Sequence, residues 1–280
     1  MINPLSNRKV AFIMSVYKND KISFLKESLD SILIQTHNNW ILRIKIDGPV
    51  KPSIIELIEQ YKNDNPSYDI KFFYRNENKG LAKSLNELID YIIKYDNDVT
   101  YIARMDADDI NFSDRLEKQV LFLEENKTVD LIGSSCQEFG TNFSIIKKME
   151  TEHNKLVDNI FKKCPFVHPS VIFRKSIFLN GFRYPIDTVL SEDLAFWFLL
   201  IENGYKFSNI EKPLIHYRTS DDMLKRRKGL KKAFNEIKIK TFYMKKLKMT
   251  NMRNIIFIFS YFLIRISPTF FVRYLYRYLR

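Results

Sequence analysis

Residues 101–109 read YIARMDADD. Tyr101–Met105 has the make-up of a short buried β-strand, and Asp106-Ala107-Asp108-Asp109 cuts it off with a run of acids. Carboxylates this close repel one another unless a cation or solvent relieves them. Hard divalent cations take oxygen ligands, and magnesium-type sites often combine one or two carboxylates with substrate phosphates. The competing reading is a solvated acidic turn that caps a helix from Ser113. An Asp-x-Asp alone is common, and its place straight after a strand is what favours the metal.

Outward from this stretch the chain alternates. Val10–Val16, Trp40–Ile46, Ile70–Tyr74 and Asp130–Ser134 read as further strands. Ile22–Gln35, Pro52–Tyr61, Leu81–Ile93 and Ser113–Glu125 read as helices. Such alternation predicts an α/β fold with a mostly parallel sheet flanked by helices. Ligands of open sheets of this kind bind beyond the carboxyl ends of the strands. Ser15-Val16-Tyr17, Asp47-Gly48 and Asp106–Asp109 all fall at such ends. After Gln137 the alternation weakens: Phe166–Arg174, Lys206–Ile210 and Leu214–Arg218 read as short strands and Leu194–Glu202 as a helix. The expected organisation is a catalytic body over 1–219, with a nucleotide half at 1–135 and an acceptor half at 136–219, followed by a tail at 220–280.

The charge separates that tail from the body. The chain has 280 residues and a formal net charge of +12. Lys225–Arg280 holds 16 Lys and Arg against one acid, Glu236, whereas the first 224 residues hold 29 against 32 acids. A nucleic-acid enzyme more often spreads its basic residues over the working face, so no nucleic-acid partner is expected. A basic tail on a near-neutral body reads as an attachment device. Ile255–Ile264 is apolar but shorter than the roughly 20 residues that a bilayer span needs. Phe270–Arg280 sets Arg273, Arg277 and Arg280 among aromatics, a pattern suited to a helix lying in lipid headgroups. Packing on its own domain or on a second subunit is the alternative. Met1–Lys9 has no apolar h-region, which predicts a body kept in the cytoplasm. Cys136 and Cys164 read as two reduced thiols.

Other residues are candidates for chemistry. Asp47 suits a hydrogen-bond acceptor for a nucleobase or ribose, or simply a turn before Gly48. Ser15 and Tyr17 would line the same pocket, or be ordinary loop polarity. Arg75-Asn76-Glu77-Asn78-Lys79-Gly80 leads into a helix whose free N–H groups attract phosphate, and Lys79 adds a full charge. Ser191-Glu192-Asp193 reads either as a helix cap or as a general base for an acceptor hydroxyl. His168 is expected to be structural. His216 would complete a metal shell or touch phosphate, or be structural as well.

Taken in order, these pieces resemble the family 2 glycosyltransferases of bacteria, which have the GT-A fold. VAFIMSVYKND with LDSILIQTHNNW, IKIDGPV, NENKGLAKSLN, YIARMDADD, HPSVIFRKSIF and SEDLAFW carry the likeness from about Val10 to Arg218. Many members have two acids before the glycine of the second-strand turn, and here the first is Ile46. The resemblance implies that Ser15, Tyr17 and Asp47 hold the nucleotide, with Asp106 near the ribose. It implies that Asp108 binds Mn2+ or Mg2+ bridging the diphosphate, and that Asp193 is the base with Glu192 beside it. The extended acidic motif resembles O-antigen β-1,3-galactosyl- or glucosyltransferases. That implies an inverting transfer from a nucleotide-sugar donor to a polyprenyl-diphosphate-linked saccharide acceptor, at the cytoplasmic face of the inner membrane. Transfer from a dTDP-sugar, such as a rhamnosyl donor, is the first alternative. A nucleotidyltransferase is the second, although no glycine-rich phosphate loop lies between Val10 and Ile22.

Overall fold

The computed structural model describes residues 7–140, 144–188, 190–220 and 229–267. Its first half alternates β1 (Lys9–Val16), α1 (Ile22–Leu33), β2 (Trp40–Asp47), α2 (Pro52–Asp64), β3 (Asp69–Arg75), α3 (Leu81–Tyr95) and β4 (Val99–Arg104). The strands run in the order β3-β2-β1-β4, all parallel. β1 and β2 are buried along nearly their whole length, so they carry continuous apolar runs and not an in-out alternation.

The two faces of β1 serve two cores. Val10, Phe12 and Met14 face Leu25, Leu29, Ile54 and Leu116, while Ala11 and Ile13 face Leu85, Ile89 and Ile92 on α3. Strand order reverses between β1 and β4. A crevice at the carboxyl ends therefore opens at this point, where ligands of such sheets bind.

The second half supplies β5 (Ile110–Asn111), α4 (Arg115–Glu125), β6 (Leu131–Phe139), β7 (Ile145–Lys147), α5 (His153–Asp158), β8 (Ile172–Arg174), α6 (Ser176–Leu179), α7 (Glu192–Glu202) and β9 (Phe207–Arg218). The sheet continues β4-β8-β6-β9-β5, with β7 on β6, to nine strands among the described residues. β8 is antiparallel to both β4 and β6, and β9 is parallel to β6.

Several expectations change here. Phe166–Arg174 is not one strand: a 3-10 turn at His168–Ser170, with Pro169 in it, leaves only β8. Lys206–Ile210 and Leu214–Arg218 are a single strand, since β9 runs through Pro213 by shifting its register against β6. The helix expected from Ser113 starts at Arg115 after Asp114.

Beyond Gly229 the chain forms α8 (Leu230–Lys246) and α9 (Met252–Ile266). Met244 of α8 and Ile258 of α9 are buried in the same core as α3 and α7, so the start of the basic tail is packed on the body. Phe270–Arg280, expected to lie in headgroups, falls outside the described residues. Among the described residues no helix is long and apolar enough to cross a membrane.

Candidate active site

The site grows from the end of β4. Arg104 closes the strand: its N–H donates to the Val171 carbonyl at 2.9 Å, and its carbonyl accepts from the Arg115 guanidinium at 2.9 Å. Met105 donates its N–H to the Ile13 carbonyl at 3.1 Å, and the Ser28 hydroxyl donates to the Asp106 carbonyl at 2.9 Å. Main chain on both sides of the acidic turn is thus fixed by β1, α1 and α4.

On that turn, oxygens of Asp106, Asp108 and Asp109 lie within 4.8 Å of one another. Asp106 and Asp108 are half-buried and Asp109 is buried. Asp109 Oδ1 accepts from the Arg218 N–H at 2.7 Å, while Oδ2 has no hydrogen-bond partner. Burial, then the charges of Asp108 and Asp106, hold the Asp109 carboxyl well above its usual range. An unpartnered, buried carboxylate oxygen beside two further carboxylates is an all-oxygen donor set that fits a hard divalent cation.

Two arginines frame the cluster, and reading the sequence alone singled out neither of them. Arg104 is fully buried and ion-paired to Asp106. Burial disfavours its charge, but the charge of Asp106, with lesser help from Tyr184 and Asp109, outweighs that and raises its pKa. Arg218, at the end of β9, donates Nε–H to the Asp108 carbonyl at 2.7 Å and is ion-paired to Glu27. Its guanidinium lies over Phe24 at 3.8 Å and Phe139 at 4.4 Å. The signal for Arg104 was legible: a charge inside an otherwise apolar strand needs a buried partner.

Asp47 ends β2 and is only 3% exposed. Its Oδ1 accepts from the Lys79 N–H at 2.8 Å and from Arg75, and its Oδ2 from the Gly80 N–H at 2.9 Å. Asp47 therefore organises the loop that opens α3. Gly48 has φ +85°, and a Cβ there would meet the Asn78 nitrogen at 2.7 Å, so this turn needs glycine. The Lys79 side chain stays exposed. Ser15 is half-buried beside Lys45 at the end of β1. Tyr17 follows it, with its N–H donating to Asp20 at 2.9 Å.

Glu192 and Asp193 occupy the first turn of α7, where the helix dipole favours acids. The Leu194 N–H donates to Asp193 Oδ1 at 2.7 Å. Burial, then the charge of Asp193, raises the Glu192 pKa, opposed by Lys232 and Arg104. Tyr184 hydrogen-bonds His168 Nε2 at 3.0 Å, and Asn86 of α3 holds its main chain at both N–H and carbonyl. Burial, then the nearby charge of Arg104, keeps the His168 pKa well below the usual range. Tyr184 feels Arg104, Asp193, Glu192 and Asp106 together. The acidic turn and the α7 acids thus lie within electrostatic reach of one buried guanidinium. His216 is not in the converging carboxylate group: its ring stacks on Phe112 at 4.2 Å and meets the edge of Phe139.

The sequence model described as Glycosyl transferase family 2 matches residues 11–182. The chain is 30% identical over 272 residues to the UDP-Gal:alpha-D-GlcNAc-diphosphoundecaprenol beta-1,3-galactosyltransferase of Escherichia coli, covering 96% of this chain and 95% of that protein. It is similar in fold to TarS 1-349 of S. aureus in complex with UDP-GlcNAc, with a TM-score of 0.65 and 15% identity over 92% of this chain and 72% of that one. It is similar also to the mannosyltransferase PcManGT of Pyrobaculum calidifontis in complex with GDP-Man and Mn2+, with a TM-score of 0.61 and 17% identity over 86% and 64% of the two chains.

Proposed function

This chain belongs to glycosyl transferase family 2 and is a glycosyltransferase of the GT-A fold, and from that premise we propose that it moves a hexose from a UDP-sugar to a lipid-linked polysaccharide precursor. The observation that carries the reading is the set of three carboxylates at the rim of β4, one of them buried with an unpartnered oxygen. The galactosyltransferase relative supports galactose and a β-1,3 linkage, on an undecaprenyl-diphosphate-type acceptor, and glucose is the other hexose of this reading. A dTDP-sugar donor is the second reading.

Ser15, Tyr17 and Lys79 hold the nucleotide, and Asp47 does so through the loop that it shapes. Asp106 lies at the ribose, held there by Arg104. Asp108 and Asp109 would hold Mn2+ or Mg2+, which would supply counter-charge to the departing diphosphate. His216 borders that site through its place on β9 opposite Ile110. Asp193 accepts the proton of the acceptor hydroxyl as that oxygen attacks the anomeric carbon. The sugar–phosphate bond breaks on the opposite face, so the configuration inverts. Glu192, whose pKa is raised by burial and then by the charge of Asp193, sits beside the base in the first turn of the same helix. The body over 1–219 carries donor and acceptor halves, and the tail holds the enzyme peripherally at the cytoplasmic face of the membrane.

Incubation with UDP- and dTDP-sugars, with manganese, magnesium or chelator, tests the reading. Metal-dependent release of UDP from one UDP-hexose is the expected result. A product that retains the nucleotide, or full activity of Asp108→Ala under chelation, would overturn it.

A further inference from the structure

The hairpin of α8 and α9 has two unlike faces. On the inner face α8 buries Ala233, Glu236, Lys240 and Met244. Lys240 donates to the Phe161 carbonyl at 2.9 Å, Tyr243 stacks on Phe198 of α7 at 4.9 Å, and Lys246 pairs with Glu202 of α7 at 2.6 Å. α9 turns Asn254 and Ile258 inward, four residues apart, and sets Phe262 5.5 Å from Phe234 of α8. Among the described residues the opposite face of α9 is apolar and uncovered. Met252, Ile256, Phe259 and Leu263 follow one another by four, three and four residues, which puts them on one stripe. They are 71%, 54%, 61% and 43% exposed.

Charge says what covers this stripe. In 230–267 the exposed cations among the described residues are Lys231, Lys238, Lys245, Lys246, Lys248 and Arg253, against Glu236 as the one acid, which is buried. On the same hairpin, an open basin of about 780 Å³ on α8 mixes Ile237, Thr241 and Phe242 with Lys238, Lys245 and Lys246. A second copy of this hairpin would bring two strongly positive surfaces together, whereas a bilayer with anionic headgroups neutralises them. Basic residues near such a surface gain on the order of 1 kcal/mol each. The 15-residue α9 is about 22 Å long. It is too short for a hydrocarbon core of roughly 30 Å and suited to lying in the interface plane.

We propose that the α9 stripe of Met252, Ile256, Phe259 and Leu263 seats in the headgroup region of an anionic bilayer. We propose further that α8, docked on α7, holds that bilayer at a fixed orientation to the Glu192–Asp193 end of α7. The seating of α9 deepens the proposed peripheral attachment of the tail, and the second half deepens the lipid-linked acceptor reading; each rests on the reading that it deepens.

The test uses the full-length protein and vesicles of phosphatidylcholine with and without phosphatidylglycerol. The parent should co-float with the anionic vesicles and not with the neutral ones. Ile256→Glu with Phe259→Glu should weaken flotation on the order of 100-fold, since each loses a buried apolar side chain and gains a charge. Vesicle-free donor hydrolysis should stay within about twofold of the parent. Lys238→Glu with Lys245→Glu should weaken only the anionic binding. A Phe259→Trp variant should gain emission quenched by brominated lipid, against the buried Trp40 and Trp197. Unchanged flotation of the double variant, absent quenching, or a parent dimer that this variant splits would overturn the proposal. Loss of donor hydrolysis in the parent would count against the proposed function and not against the bilayer face.

Discussion

The N–H of Arg218 donates to Asp109 Oδ1 at 2.7 Å, although 109 residues separate the two in the chain. The same arginine grips the Asp108 carbonyl through Nε and is itself held between Phe24 and Phe139. The acidic turn is therefore braced from behind by the end of β9. A main-chain bond survives substitution, but the guanidinium contacts do not. Arg218→Ala should weaken manganese binding about 10- to 100-fold, the usual cost of removing a group that orients a metal's ligands. Titration of the free protein by electron paramagnetic resonance reads this without substrate. Unchanged manganese affinity would remove the bracing role.

Asp109 carries a burial penalty that the Arg218 N–H and the charge of Arg104 offset only in part. Asp109→Asn removes a buried charge facing two like charges, so the metal-free variant should unfold at a temperature no lower than the parent's. Added manganese should stabilise the parent and leave the variant nearly unchanged, with transfer reduced at least about 100-fold. Thermal scans with and without metal check both halves.

Glu124 predicts the acid limb of stability. Burial pushes its carboxyl up, but hydrogen bonds from Lys127, Tyr101 and Arg8 outweigh burial and hold it at about 2, against an ordinary 4.5. A depressed carboxylate stabilises fully above its unfolded pKa, and that contribution is lost as pH falls through the folded one. The parent should therefore lose stability between pH 4.5 and about 2. Glu124→Gln should be less stable at neutral pH and show a flatter decline across that window. Urea titrations at several pH values measure it.

Arg43 sits fully buried in β2, paired with Asp96 at 2.8 Å and Asp69 at 2.6 Å. Arg43→Met fills the space but strands the buried Asp96 carboxylate, which should cost about 3–5 kcal/mol. Denaturant unfolding should register this, while donor hydrolysis per folded molecule stays close to the parent's. A loss below about 1 kcal/mol would mean that Asp96 finds other partners or neutralises cheaply.

The parallel half was legible because strands covered on both faces announce themselves as unbroken apolar runs. The same reading failed at Phe166–Arg174, where buried side chains belong to a 3-10 turn and a strand of three residues. It failed also at β9, where Glu211-Lys212-Pro213 break the hydrophobic pattern although the backbone continues. β5 and β7, of two and three residues, are too short to show any period. In the site, the acids and their strand ends were readable, being polar residues where apolar runs stop. What held them was not, because Arg218 reaches Asp109 only through the pairing of β9 with β5 and β6. Asp47 was legible as a turn acid, but its N–H partners at Lys79 and Gly80 depend on how α3 begins.

Arg104 answers to carboxylates of the acidic turn on one side and to the Tyr184–Glu192 neighbourhood on the other. Chimeras that graft one relative's acceptor half onto another's donor half will meet this cation at their seam. A graft that keeps 104–109 from one parent and 184–193 from another inherits an electrical mismatch around a guanidinium buried from solvent. Transplants should carry both segments together, so the natural unit of exchange is larger than either half.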